Sequence, residues 1–292
     1  MVIQKIKEKV LFKVNFFYKK YLGKYNRKDS YPFVSGDSFR KKCNHIFDEI
    51  KKCDPTKINN NDFVFVKSDL LKDFFNDVHP RIKNKYNLIS HNSDEAINGT
   101  YGRYLDDKIL NWYAQNVEEK FDPRVKIIPI GLENRWHLKN GRIKNFIDIS
   151  NNLPKKNILI HASFSKNTHK SRPEILNKIK LIENVTINEA KKNKDYLNVL
   201  ASSYFNICPR GNGIDTHRIW ESLIFETIPI VENNSFTAQL DSLGIPVLIL
   251  ESWDVLGEYS KEDLLEIYFK IKNKKNLKTF SELNYWEKKL EL

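Results

Sequence analysis

One local pattern recurs along the chain and narrows its fold more than any other: a short apolar run, a polar cluster, then a helical stretch. The runs are Phe63–Val66, Tyr86–Ser90, Lys126–Ile130, Asn157–His161, Tyr204–Cys208, Ile228–Val231 and Pro246–Leu250. Runs this short and this apolar read as strands buried on both faces, which is the condition of a parallel sheet. Between them lie stretches of helical spacing. One carries Phe39, Cys43, Ile46, Phe47 and Ile50 after a cap at Asp37 or Ser38. Another carries Leu70, Leu71, Phe74, Phe75 and Val78 up to Pro80, and a third Ile109, Leu110, Trp112, Tyr113 and Val117 within Asp107–Val117. Further helices are predicted to open near Pro173 and to cover 195–201, 216–226 and much of 260–292. Alternation of this kind predicts an α/β fold with parallel strands, whose binding loops gather at the strand C-terminal ends.

At 292 residues the chain can form one large α/β domain or two smaller ones. The polar crossing at 131–155 has weak periodicity and separates two halves of the same rhythm, 1–140 and 141–259, followed by a tail at 260–292. Two such halves leave a cleft between them, the usual place for a small ligand.

Lys and Arg number 49 against 37 Asp and Glu, a net charge of +12. The excess is mostly Lys mixed with Asn from end to end, which suits recruitment of an anionic substrate. Zinc-finger spacing, an RNP-like aromatic strand pair and an arginine-rich arm are all missing, so no nucleic-acid partner is expected. Three cysteines without a CxxC pair support neither a disulfide framework nor structural zinc. HxxxH, HExxH and a DxD at a strand end are also missing, and no metal is expected. No GxSxG elbow supports serine hydrolysis. The N-terminus lacks a signal-peptide pattern, and no run reaches the roughly 18 apolar residues of a bilayer span. Val10, Leu11, Val14, Phe16 and Phe17, ringed by lysines, suit a helix on an anionic membrane or one docked on the protein. These features predict a cytoplasmic protein, with peripheral membrane contact through the basic N-terminus as an option.

The densest chemistry lies in Cys208–Val231, CPRGNGIDTHRIWESLIFETIPIV. A strand ends, Pro209, Gly211 and Gly213 shape a tight loop, and a helix opens near Asp215 or Thr216, either of which can cap it. A loop feeding a helix N-terminus favours anions. Arg210 and Arg218 can make forked contacts to phosphate. Glu221, one turn deeper than His217, suits a ribose diol. Phosphate with ribose means a nucleotide, and the loop is neither a Walker A sequence nor a GxGxxG fingerprint. A transferase with a nucleotide-activated donor fits best. The plainer alternative makes Asp215 a cap, Arg218 and Glu221 a surface ion pair, and GNG a turn.

This stretch closely resembles the donor-nucleotide motif of exostosin-like glycosyltransferases. So do YPFVSGDSFR, NLISHNSD, IIPIGLENRWH and NILIHASF in order, and the resemblance covers about residues 31–250. It is nearest to short stand-alone members from microbes and large DNA viruses. It implies a GT-B fold: two Rossmann-like domains facing a cleft, the acceptor side in 1–140, a nucleotide sugar bound by 141–259, and C-terminal helices packing back on the first domain. It also implies transfer of a UDP-linked sugar to a glycan, without metal and with inversion. A viral member would act in the host cytoplasm. By this likeness Glu221 holds the ribose, Arg218 or Arg210 the diphosphate, and Gly211, Asn212 and Gly213 approach the phosphates. Asp215, His217 and Ser163 complete the donor set. Phe225–Glu226–Thr227 stands where the family commonly has glycine. A nucleotide- or glycan-binding protein without catalysis is the alternative.

An inverting transfer needs a base for the acceptor hydroxyl. Asp94 and His91 follow the Tyr86–Ser90 strand directly, and Asp37 opens a helix with Arg40 nearby; the three compete for the role, and Asp37 and Asp94 are otherwise caps. Glu133, Asn134 and Arg135 lie at the domain junction. Lys166, Lys170 and Arg172 can add charge over the donor phosphates, and Glu232 and Asn233 can reach sugar or base.

Overall fold

A computed structural model of the chain describes Tyr25, residues 27–188 and residues 193–292. The basic N-terminal helix expected around Val10–Phe17 lies outside these residues. The described chain forms two five-stranded parallel sheets.

The first sheet is β1 (His45–Phe47), β2 (Phe63–Lys67), β3 (Tyr86–His91), β4 (Ile109–Ala114) and β5 (Val125–Ile127), in sequential order. Val64 and Phe65 of β2 lie beside Leu88 and Ile89 of β3, and all four are fully buried. Burial on both faces is what an unbroken apolar run requires. The indole of Trp112 on β4 is also fully buried and donates to Ser90 Oγ at 2.8 Å.

Two expected helices are corrected here. Asp107–Val117 is mostly β4, sandwiched between β3 and β5. A short apolar, aromatic run satisfies helical and strand spacing alike, and pairing on both edges decides for the strand. The helix expected to run on to Ile50 is only α1 (Gly36–Lys42), capped by Ser35, whose side chain accepts from Ser38 N. Cys43 is extended, and His45–Phe47 becomes the edge strand β1, paired with Val64–Val66. Arg40 Nε binds Asp48 Oδ2 at 2.6 Å, closing the turn. Leu70–Val78 turns into an irregular helical stretch whose short α2 (Leu71–Asp73) passes into a wider turn at Phe74–Val78.

A helix unannounced by the polar crossing, α3 (Ile143–Ser150), follows the first sheet. Ile143, Phe146 and Ile149 enter a small core with Phe33 and Leu132 from before it and Leu197, Leu200 and Phe225 from after it. Phe146 and Phe225 stack with centroids 5.7 Å apart.

The second sheet contains β6 (Ile158–Ala162), β7 (Val185–Ile187), β8 (Ser203–Ile207), β9 (Ile228–Glu232) and β10 (Leu248–Leu250), in the order β10-β9-β8-β6-β7. Its helices are α4 (Arg172–Ile179), α5 (Asn193–Ala201), α6 (His217–Ile224) and α7 (Ser235–Ser242). The chain runs outward from β6 to β7 and then returns to the other side at β8. That reversal opens a crevice beyond the C-terminal ends of β6 and β8, where ligands of such sheets bind. After α8 (Lys261–Lys274), a turn and α9 (Leu283–Leu290) return to the first domain. Val34 N donates to Ser281 O at 2.9 Å and Leu283 N to Pro32 O at 2.8 Å. Two Rossmann-like domains facing a cleft are the GT-B arrangement. Among the described residues no helix is long and apolar enough to cross a membrane.

Glu226, in the turn after α6, has φ of +54°, a left-handed conformation that disfavours side chains with a Cβ. The conformation expected of glycine is therefore kept by a glutamate, whose carboxylate pairs with Lys272 at a partly exposed site. Glu226→Gly should stabilise the protein by about 0.5–1 kcal/mol, because left-handed strain outweighs a partly exposed ion pair. Equilibrium urea unfolding checks the sign.

Candidate active site

Two cavities lie along the cleft. The one on the second domain has a volume of about 460 Å³ and runs along the first turns of α6, the loop after β6, and residues of α4, α5 and β7. The one on the first domain has a volume of about 590 Å³ and runs from Arg27 and Lys67 to Asp94 and Trp136. Both are lined by Glu133 and His217, so the two spaces meet there.

In the second-domain cavity α6 presents Arg218 and Glu221 on one face, while Ile219, Trp220, Leu223 and Ile224 are buried in the core. Arg218 Nε donates to the Ser163 carbonyl at 2.7 Å, which fixes the plane of the guanidinium. Its two terminal nitrogens have no partner among the described residues, so they are available to an anion. Glu221 does not pair with Arg218. Its Oε2 accepts from the hydroxyl of the half-buried Tyr196 at 2.8 Å, leaving Oε1 as an acceptor. Burial and the neighbouring Glu221 carboxylate keep the Tyr196 phenol protonated. Phe164, Leu176 and Ile187 give the same cavity an apolar strip beside Asn188 and Asn193. The surface ion pair of the plainer reading is thus not formed.

The glycine loop does something other than expected. None of Arg210, Gly211, Asn212, Gly213 and Asp215 lines the cavity that holds Arg218; Gly211 lies against Arg172, and the other four touch the first domain. Arg210 Nη2 pairs with Glu118 at 3.1 Å, and Asn212 Nδ2 donates to Asp94 Oδ2 at 3.2 Å. A Cβ on Gly213 would come within 2.6 Å of the Asn116 amide, and Asp215 N donates to Asn116 Oδ1 at 3.1 Å. The glycine is needed for close approach of one domain to the other.

Asp215 is buried, accepting from Ile130 N at 2.7 Å and from Trp220 Nε1 at 2.9 Å. Thr216, not Asp215, occupies the cap position of α6, without a side-chain cap bond. Arg172, expected over the donor phosphates, is a buried strut. Its three nitrogens donate to the carbonyls of Arg210, Ser165 and Pro209 at 2.7, 3.0 and 2.8 Å. Burial lowers its pKa to about 10. A proline-bordered loop that needs its carbonyls held was the only sequence signal for this role.

Of the three base candidates, His91 and Asp37 are committed to structure. His91 is buried; Nε2 donates to the Pro129 carbonyl at 3.0 Å and Nδ1 accepts from Asn92 N at 2.7 Å. Burial lowers its pKa to about 4. Asp37 is buried, pairs with Arg27 at 3.0 Å and accepts from Asn92 Nδ2 at 3.1 Å. Burial raises its pKa against the pull of Arg27. Asp94 is exposed and lines the first-domain cavity. His217, expected among the donor contacts, stands at the junction of the cavities with Nδ1 2.7 Å from the Gly131 carbonyl. Ser163 lines the second-domain cavity. Among the described residues no group of three or more His, Cys, Asp or Glu side chains is placed to hold a metal ion.

Neither a protein-family model nor a curated protein matches the chain. Solved structures do. OtsA in its apo form is 10% identical over 80% of this chain and 73% of its own, with a TM-score of 0.48. The Escherichia coli trehalose-6-phosphate protein bound with UDP-2-fluoro glucose is 9% identical over 80% and 73%, with a TM-score of 0.47. An α,α-trehalose-phosphate synthase (UDP-forming) from Burkholderia vietnamiensis is 8% identical over 80% and 72%, with a TM-score of 0.43. These findings correct the exostosin-like assignment and the viral placement drawn from it. The three named are OtsA and trehalose-phosphate proteins, and the glycine loop on which that resemblance turned serves the domain junction. The fold itself rests on this chain's own sheet order.

The Asp215 carboxyl has its pKa pushed up to about 7, mainly by burial, whereas in the unfolded chain it ionises near about 3.9. The fold therefore holds a proton that the unfolded chain has lost. The stability Asp215 contributes is complete below about pH 4 and is lost as pH rises through about 7. An amide in its place has no such proton, so Asp215→Asn should lose less melting temperature than wild type between about pH 5 and 8. Differential scanning calorimetry of both proteins across that range checks the difference.

Proposed function

We propose that the chain is a glycosyltransferase that moves a hexosyl or pentosyl group from a nucleotide-sugar donor to a hydroxyl of a glycan. The observation that carries this reading is that Arg218, its terminal nitrogens free, and Glu221, one turn deeper, line the same cavity without bonding to each other. The guanidinium fork matches diphosphate oxygens, and the helix N-terminus adds its field. The Glu221 carboxylate accepts from ribose hydroxyls while Tyr196 holds its other oxygen. The strip of Phe164, Leu176 and Ile187 takes the flat face of a base. The donor proposed is UDP-linked, since the amides of Asn188 and Asn193 match the acceptor and donor edge of uracil. A net charge of +12 speeds capture of such an anion.

The first-domain cavity supports an uncharged, hydroxyl-rich acceptor. Its cations are neutralised in place: Arg27 pairs with Asp37 and Glu49, and Lys67 pairs with Asp69. Asn92, Gln115 and Asn134 line the cavity with amides.

Calorimetric titration with UDP, beside GDP and CMP, tests the donor site. Arg218→Ala should weaken UDP binding by about 10- to 100-fold, the worth of a charged hydrogen bond. Glu221→Gln, which leaves an acceptor for Tyr196, should weaken it by a smaller factor. Both should melt within a few degrees of wild type. Wild-type affinity in both variants would refute the site. Nucleotide binding without turnover on any glycan would refute transfer and leave a binding protein.

A further inference from the structure

His217 and Glu133 alone line both cavities among the residues that border either, so the bond exchanged between donor and acceptor has to lie beside them. Nδ1 of His217 is 2.7 Å from the Gly131 carbonyl oxygen. A carbonyl oxygen only accepts, so Nδ1 carries the hydrogen, and the neutral ring keeps its lone pair on Nε2. Nε2 has no hydrogen-bond partner among the described residues.

The carbonyl that sets this tautomer is itself fixed. Gly131 has φ of +64°, and a Cβ there would lie 2.3 Å from the Val34 carbonyl oxygen. Leu132 N donates to that same carbonyl at 2.8 Å. Three other histidines near the cleft are placed differently: both nitrogens of His91 are engaged, His161 is buried with Nδ1 on Asn206, and His137 lines the first-domain cavity alone. Glu133 is held by His137 at 3.4 Å.

We propose that Nε2 of His217 is the general base for transfer, a role that rests on the nucleotide-sugar reading of this cleft. The acceptor hydroxyl oxygen attacks the anomeric carbon and forms the new C–O bond. The bond from that carbon to the diphosphate oxygen breaks, and its electron pair leaves with the nucleoside diphosphate. The hydroxyl proton passes to Nε2, and the imidazolium, still donating from Nδ1 to Gly131, later returns a proton to water. A direct displacement of this kind inverts the anomeric centre.

The test begins with wild-type protein, UDP-sugars and oligosaccharide acceptors. His217→Asn keeps a side-chain donor for the Gly131 carbonyl but supplies no base. Its kcat should fall by about 10²- to 10⁴-fold, the usual worth of general base catalysis, with the UDP dissociation constant unaltered. In His217→Ala, added imidazole should restore part of the transfer while an equal ionic strength of sodium chloride should not. Product from the wild type should carry the inverted anomer.

Wild-type kcat in His217→Asn would overturn the assignment. So would a parallel loss of UDP affinity, which would make His217 a phosphate contact, or a product of retained configuration. Loss of transfer in Glu133→Gln with His217→Asn active would move the base to Glu133. Wild-type protein that neither binds UDP nor transfers any sugar would overturn the underlying reading, an outcome seen before any variant is compared.

Discussion

The Asp215 carboxyl is the joint on which the cleft depends. It accepts from the backbone of Ile130 in the first domain and from the indole of Trp220 on α6, so one side chain sets both how the domains meet and how α6 lies. Its neighbour Asn116, itself at φ of +57°, closes the same junction under Gly213. The contact extends to the chain end, where Ser281 Oγ donates to the Trp220 carbonyl at 2.8 Å and the Trp220 and Trp286 rings meet edge to face. A buried carboxyl without a cation would be costly if ionised. Here burial favours the neutral acid, and the surrounding donors make it an acceptor at little electrostatic expense. The spacing of His217, Arg218 and Glu221 relative to Gly131 follows from this joint, because all three ride on α6.

Three arginines around one strand end show how position, more than residue type, assigns a task. Arg172 is enclosed and gives its donors to three carbonyls of its own domain. Arg210 reaches across to Glu118. Arg218 gives only Nε to a carbonyl and turns the rest of its fork to open space. A guanidinium with all three nitrogens held by carbonyls, as in Arg172, has little left for phosphate. Of the two that keep donors, only Arg218 lines the second-domain cavity, with its plane held at Nε and its terminal nitrogens free.

Much of the architecture was legible because parallel strands buried on both faces need unbroken apolar runs. The β2, β3, β6, β8 and β9 strands announce themselves in Phe63–Val66, Tyr86–Ser90, Asn157–His161, Tyr204–Cys208 and Ile228–Val231. Where the apolar residues are aromatic and few, the period is ambiguous. Ile109, Trp112 and Tyr113 sit on a plausible helical face, and only pairing with β3 and β5 makes them a strand. Cys43 and Phe47 were similarly split between the end of α1 and the edge strand β1. The α3 helix was hidden because Asn145, Asp148 and Ser150 dilute its pattern, although Ile143, Phe146 and Ile149 share one buried face.

At the site, Arg218 and Glu221 were legible because three residues' separation on a helix puts both on one face. The glycine loop was not, for a physical reason. A glycine records that something comes within the space of a Cβ, and it does not record what. Phosphate oxygen and the Asn116 amide leave the same mark on the sequence, since either forbids a side chain at position 213. What distinguishes them is the partner's position, which depends on residues far away along the chain. The same holds for His217. Its residue type fits a phosphate contact or a proton acceptor equally well, and the choice turns on the Gly131 carbonyl, whose approach to Nδ1 leaves the lone pair on Nε2.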